Sequence, residues 1–348
     1  MKLSVRPLEP EDFNQCWAIS TLREKFSLED TARIRAAWAY LLPRDEMFAA
    51  VVEDVSDGGR QLLAFGGNVF VTDERMEKLR SLPTPLALTR VLLEAGSPDS
   101  SILSQRQIGL YNSQGGLNMV VAHRGEFSCK PPPGTIWPEF FTSREGEEYS
   151  MVVERIVWAF QEVNRGFHVR EMLCEGYGPF EMQWAFSGGN WILRSDYSHY
   201  YARSAEPFPS EQEHPYLFGA TKQEVTVNSA IWSMLQASNP VLGFSALQQR
   251  VFLQALRGYS NEAIAARLGI TEESVHGCFR LGYDKVREHA VLSVEIGDDG
   301  ETETGKARSR KRERFIDILR RHPEELRPWS TRPVLRRKPA PLVSTVVG

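Results

Sequence analysis

Apolar and polar positions change period several times along the chain, and each change predicts an element. Lys2–Arg6 alternates as a short strand does, and Pro10-Glu11-Asp12 opens a helical stretch that runs to Ile19. Over Asp30–Leu42 a helix would place Ile34, Ala37, Trp38 and Leu41 on one side, with Pro43 ending it. Met47–Val55 and Leu62–Val71 predict strands joined through Ser56-Asp57-Gly58-Gly59, a hairpin signal. Pro85–Glu94 reads as a helix and Gly116–Ala122 as a buried strand; Lys130-Pro131-Pro132-Pro133-Gly134 can continue neither. A long helix follows over Glu147–Val163, with Val152, Val153, Ile156, Val157, Phe160 and Val163 at helical spacing. After it come a strand over Val169–Cys174, a short helix over Phe180–Ser187 stopped by Gly188-Gly189, and a final strand over Asp196–Ala202. Prolines 207, 209 and 215 mark Glu206–Pro215 as a linker, and Gln223–Gln236 presents Val225, Val227, Ile231, Trp232 and Leu235 as a connecting helix.

The segment 244–289 is the most informative. A helix from Ala246 to Arg257 turns Leu247, Val251, Phe252, Ala255 and Leu256 inward, and Gly258 stops it. Ser260 caps a second helix, Asn261–Leu268, and Gly269 turns the chain. Thr271 caps a third, whose inward residues are Val275, Phe279 and Val286. A short helix, a glycine turn and a longer helix make the helix-turn-helix pattern, in which the second helix of the pair fits the major groove.

At these residues the chain resembles the LuxR-type (FixJ- or NarL-type) DNA-binding domain. The match runs through Gly258-x-Ser260-Asn261-x-x-Ile264-Ala265 and Leu268-Gly269-Ile270-Thr271-x-x-Ser274-Val275, then Phe279, Tyr283 and Lys285. The resemblance implies that the helix from Thr271 to Val286 reads DNA. The residues it implies for the interface are Ser260, Asn261, Thr271, Glu273, Ser274, His276, Gly277, Cys278, Arg280 and Lys285. Glu272 and Glu273 suit a helix N-terminus but repel phosphates.

Charge adds to this picture. Thirteen Lys/Arg against four acids lie between Lys306 and Lys338, a net +9, which leaves −13 on the rest of a chain whose total is −4. A basic end on an acidic body suits a polyanion partner. Within it Arg314-Phe315-Ile316-Asp317-Ile318-Leu319-Arg320-Arg321-His322-Pro323 predicts an amphipathic helix. Phe315, Ile318 and Leu319 would dock on the protein, while Arg314, Arg320 and Arg321 stay wet for sequence-independent phosphate contacts. Glu295–Gly305 reads as a flexible tether, and residues 330–348 are expected to be disordered.

In the first 205 residues the order β-α-α-β-β-(α)-β-α-β-α-β, with the opening Val5-Arg6-Pro7-Leu8-Glu9-Pro10-Glu11-Asp12-Phe13, resembles the GNAT acetyltransferase fold. That family holds the acetyl-CoA pyrophosphate on a Q/R-x-x-G-x-G/A loop. The corresponding Val120–Glu126 keeps only Arg124 and Gly125 and sets Glu126 where phosphate belongs, so acetyl-CoA binding is not expected. His123 and His168 read as structural histidines. The aromatics Trp158, Trp184, Trp191, Phe160, Phe180 and Phe186 read as core, with an aromatic-lined ligand pocket as the other possibility. Glu11-Asp12 is not embedded in alternating βα units, which disfavours phosphorylation control.

The expected fold class is an α+β N-terminal domain with a mixed, GNAT-like sheet (1–205) and an all-α helix-turn-helix domain (243–290). A linker with a connecting helix (206–242) joins them, and a tether, basic helix and tail (291–348) follow. Cys16, Cys129, Cys174 and Cys278 are far apart without C-x-x-C spacing, so reduced cytoplasmic thiols are expected, not zinc or disulfides. No run of 18 apolar residues and no signal-like h-region predict a membrane segment or secretion. The function these features imply is a bacterial-type, non-enzymatic transcriptional regulator without cofactor or metal. It would bind double-stranded DNA as a homodimer, with RNA polymerase as a further partner and an unknown small molecule or protein as effector of the N-terminal domain. Two other classes stay open: an N-acyltransferase-like enzyme carrying a DNA-targeting module, and a sigma-factor-like protein, because Arg267–Glu288 also resembles region four of those factors.

Overall fold

The computed structural model describes residues 1–348 except 21, 23, 57, 127–142, 188–190, 227–228, 230, 237, 290–291, 293–304 and 331–348. The expected loop at 130–134, the Gly188-Gly189 stop, the tether up to residue 304 and the tail from residue 331 lie outside the described residues. Seven strands form one mixed sheet: β1 (Leu3–Pro7), β2 (Met47–Asp54), β3 (Gln61–Val71), β4 (Leu117–Glu126), β5 (Val169–Tyr177), β6 (Ile192–Ser195) and β7 (Pro215–Thr221). Their order is β1-β2-β3-β4-β5-β7-β6, and every neighbouring pair is antiparallel except β4–β5.

Period-two side chains give the sheet two buried faces. In β3, Val69 and Val71 join one core with α1 (Phe13–Ile19) and α2 (Leu28–Leu41), while Phe70 between them joins the other with α4 (Gln105–Gln114). A bulge after Val52 shifts the β2–β3 register, so Leu62 and Phe65 reach the same face although three residues apart. Ser27 caps α2, and Trp38, Ile34 and Leu41 are its inward stripe. α3 (Asp73–Ser81) starts on the Thr72 cap and follows β3 directly. α5 (Arg144–Asn164) covers β1–β3 from the second side, with Val152 packed on Val52 and Ala64. α6 (Gly178–Ser187) follows β5.

Three sequence expectations are corrected. Asp196–Ala202 is not a strand: Ser198–Tyr201 is a helical turn, and the strand lies earlier, at β6. Among the described residues of Gln223–Gln236, only Trp232–Leu235 are helical. The boundary at 205 is too early, because β7 sits after the proline-rich stretch and fills the place between β5 and β6.

His123 lies at the heart of the first core. Its ring centroid is 5.3 Å from Trp17, 5.2 Å from Trp38 and 4.9 Å from Phe65, and its Nε2 is 3.0 Å from the Ser20 hydroxyl. Burial pushes the imidazole down to about 3 from an ordinary 6.5. The native ring therefore stays neutral while the unfolded ring takes a proton. Its contribution to stability is complete above pH 6.5 and falls as the pH drops toward 3, by about 1.4 kcal/mol per pH unit. Urea midpoints of wild type and His123→Gln, followed across that window, are expected to show a shallower acid decline for the variant. Parallel curves would contradict this assignment.

Candidate nucleic-acid interface

Four helices form a second, separate core: α7 (Ala246–Leu256), α8 (Asn261–Leu268), α9 (Glu272–Glu288) and α10 (Gly305–Arg321). Local signals fix the first three. Ser245 and Gln248 make a reciprocal capping box on α7. Ser260 accepts the Ala263 N–H at 3.2 Å, and Thr271 accepts the Ser274 N–H at 3.1 Å. Gly258 and Gly269 take the left-handed conformation, φ +85° and +64°, that lets the chain leave one helix and enter the next.

α9 has one face in the core and one in the open. Val275, Phe279, Gly282 and Val286 form the inward stripe, with Cys278 beside them. Glu272, Glu273, Ser274, His276, Arg280, Leu281, Asp284 and Arg287 are exposed, and Leu281 keeps 53% of its surface. Arg280 makes no hydrogen bond or ion pair with any described residue. Asn261 Nδ2 lies 3.4 Å from His276 Nδ1, which ties the start of α8 to the outer side of α9. Ser260, Asn261, Thr271, Glu273, Ser274, His276, Gly277 and Arg280 therefore share one open surface. Ser260 and Thr271 are committed to capping, and Thr271 Oγ1 also meets Ser274 Oγ at 2.8 Å.

Two expected interface residues are placed elsewhere. Cys278 is buried, because three residues after Val275 the helix has turned back toward the core, and burial raises its thiol pKa. Lys285 donates to the Gly243 carbonyl at 2.5 Å, with its ammonium 5.4 Å from the Phe244 ring centroid, and so staples the entry of α7 to α9.

The glycines of α9 differ in their surroundings. A Cβ on Gly282 would lie 2.7 Å from Phe252 Cζ and 2.8 Å from Phe315 Cζ, whereas nothing lies within 4 Å of one on Gly277. Gly282 is the seat on which the buried rings of α7 and α10 meet, 5.0 Å between centroids. Its role went unread in the sequence, where a mid-helix glycine was the available signal.

The predicted basic helix is longer than expected, beginning at Gly305, and Phe315, Ile318 and Leu319 are fully buried as expected. Arg320 and Arg321 are exposed but tied locally. Arg320 pairs with Asp317 at 2.8 Å and Arg321 donates to the Asp317 carbonyl at 3.2 Å, while Arg314 is half-buried.

The stretch after α10 joins the two cores. Glu325 accepts the N–H groups of Val241 and Leu242 at 2.5 and 2.9 Å, and Gln249 donates to the Arg327 carbonyl at 2.7 Å. Arg327 is buried against the C-terminal end of α5. It donates to the Arg165 carbonyl at 2.7 Å and the Glu162 carbonyl at 3.2 Å, with its guanidinium 4.7 Å from the Phe167 ring centroid. Burial brings its pKa down to about 10. Asn112 donates to the Pro328 carbonyl at 2.9 Å, Ser330 donates its N–H to Gly109 at 3.0 Å, and Arg267 pairs with Glu9 at 2.8 Å.

In the sheet unit the strands β4 and β5 pair only from Leu117/Val169 to Val120/Leu173 and then part. Arg124 crosses the gap to the Glu175 carbonyl at 3.1 Å and pairs with Glu181. Glu175 is buried and fully bonded, accepting from Tyr177 at 2.6 Å, Tyr197 at 2.5 Å and the Leu86 N–H at 3.1 Å. Asp12 is locked in a two-point pair with Arg6 at 2.6 and 2.7 Å. No group of His, Cys, Asp and Glu suited to a metal occurs among the described residues, and none of their helices is long and apolar enough to cross a membrane.

Alanine at the two α9 glycines is expected to act in opposite directions in thermal or urea denaturation. Gly282→Ala forces apart two packed rings and destabilises by about 1–2 kcal/mol, the overpacking cost less the gain in helix propensity. Gly277→Ala meets nothing and stabilises by about 0.5–1 kcal/mol.

No protein family, curated protein or solved structure matches this chain.

Proposed function

We propose that the protein is a transcriptional regulator that reads double-stranded DNA with α9, braced by α8, in the manner of a LuxR-type helix-turn-helix domain. The observation that carries this reading is the two-sidedness of α9. Its inner stripe is anchored in a core and its outer face, from Thr271 to Arg280, is uncovered. A major groove admits a helix held in that way. Gly277 leaves room for close approach, and Arg280 is an unengaged cation on the face. One recognition helix contacts few base pairs, so the regulator acts as a homodimer on two half-sites, with RNA polymerase as a further partner. The sheet unit senses a small molecule or protein and shifts the population of DNA-competent conformers; the site of action is the cytoplasm.

A second reading rests on the sheet. The order β1-β2-β3-β4-β5-β7-β6, with one parallel pair that parts after Val120/Leu173, favours the GNAT-like fold named above. The gap is bridged by Arg124 rather than left open, and that supports a sensory or scaffold role over an N-acyltransferase. Saturable acetyl-CoA binding by calorimetry would reverse this preference. Promoter-specific run-off with core polymerase alone would instead favour a sigma-like protein.

Arg280→Ala is expected to weaken binding to duplexes enriched by genome-wide footprinting by about 1–3 kcal/mol in gel-shift titrations, with circular dichroism unchanged. Unaltered binding would refute this assignment of the recognition face.

A further inference from the structure

The strap that follows α10 lies in a groove built by the sheet unit, from α4, the end of α5 and the residues leading into β5. Two glycines bring the backbones together. A Cβ on Gly166, at φ +90°, would lie 2.6 Å from Glu324 N, and one on Gly109 would lie 3.3 Å from Trp329 N.

Between these glycines each residue of Arg327-Pro328-Trp329-Ser330 meets a group of its own. The Arg327 guanidinium enters a socket formed by the Glu162 and Arg165 carbonyls and the Phe167 ring. The Pro328 carbonyl accepts from Asn112 Nδ2, and that amide is held in orientation because its Oδ1 accepts the His168 N–H at 2.7 Å. Trp329 stands edge-on to the His168 ring with centroids 5.3 Å apart, and the Ser330 N–H reaches the Gly109 carbonyl. A side-chain socket, an oriented amide, a ring contact and a backbone bond are the means by which a domain reads an extended peptide. Glu325 and Leu326, between the two contact points, turn the other way and join the helical core.

The strap leaves part of this groove unsatisfied. His168 Nε2 is buried without a hydrogen-bond partner. The socket gives Arg327 carbonyl dipoles but no carboxylate pair, and the nearby charges of Arg257 and Arg165 oppose its own. A permanent structural clasp has no use for either defect, whereas a resident ligand that is to be exchanged must not bind too well.

We infer that this groove is a peptide-recognition site for an extended Arg-Pro-aromatic segment, held by the chain's own strap and open to the same kind of segment on a protein effector. The inference rests on the sensing role proposed for the sheet unit and gives the effector a chemistry. An incoming segment displaces the strap and breaks the link that Arg327 makes between α5 and, through Gln249, α7. The helical unit is then freed from the sheet unit along that edge.

The test uses the full chain and a fluorescent peptide of residues His322–Ser330, followed by anisotropy. Arg327→Ala/Trp329→Ala in the chain empties the groove and is expected to give saturable peptide binding. Wild type would bind about tenfold more weakly or less, because the strap competes in cis at an effective concentration on the order of millimolar. A peptide carrying Arg327→Lys is expected to lose about fivefold or more, since an ammonium cannot fork between two carbonyls. No saturable binding to the emptied variant, melting within about 5 °C of wild type, overturns the inference. Equal affinity for the Arg327→Ala peptide overturns it as well. Should the variant not fold, hydrogen exchange of the wild-type strap decides: about 5 mM peptide is expected to speed exchange at Ser330, and an unchanged rate overturns the site. No DNA enters these measurements, so their failure is distinct from a failure of α9 to bind a duplex.

Discussion

The arrangement of the two cores depends on a buried guanidinium that pairs with no carboxylate among the described residues. Arg327 is neutralised instead by the end of a helix: α5 is 21 residues long, and its last carbonyls point at the side chain. Such an end carries about half a negative charge, concentrated on acceptors that no further turn satisfies. The Phe167 face adds a cation–π contact. The pKa of about 10 leaves the group cationic at neutral pH in spite of burial. Because the Arg327 carbonyl accepts from Gln249 in α7, one residue bonds the sheet unit with its side chain and the helical unit with its backbone.

α9 is held in place by a contact that only glycine permits. Phe252 and Phe315 meet over Gly282, so α7 and α10 hold the helix from two sides while its outer face stays clear. Gly277, five residues earlier, has the same composition and the opposite surroundings. Identity at a position says less than the side of the helix on which it falls.

The helix-turn-helix was legible because its determinants are local: Ser260, Gly269 and Thr271 act on residues within four positions of themselves. Cys278 was misplaced because it lies at the margin of the inward stripe, where an angular shift of one residue decides burial. The sheet was legible where strands alternate and failed where tertiary pairing overrides propensity. β7 follows a proline-rich stretch, and only its first residue, Pro215, falls within the linker that the prolines predict. Gln223–Gln236 has helical periodicity, yet Val225, Ile231 and Leu235 are drawn into the sheet core that holds Phe70, and among its described residues only Trp232–Leu235 are helical. The side-chain bonds of Glu325 and Arg327 span 83 residues or more, a separation no local pattern encodes.

The place of β7 bears on how the chain is made. During synthesis β5 and β6 emerge first, yet they do not pair with each other; both wait for Pro215–Thr221 to slide in between. Until then two strand edges with unpaired N–H and C=O groups stand open beside the ribosome, templates for a neighbouring nascent chain. A fragment cut at residue 205 would freeze that vulnerable intermediate, so the shortest self-sufficient sheet ends beyond Thr221.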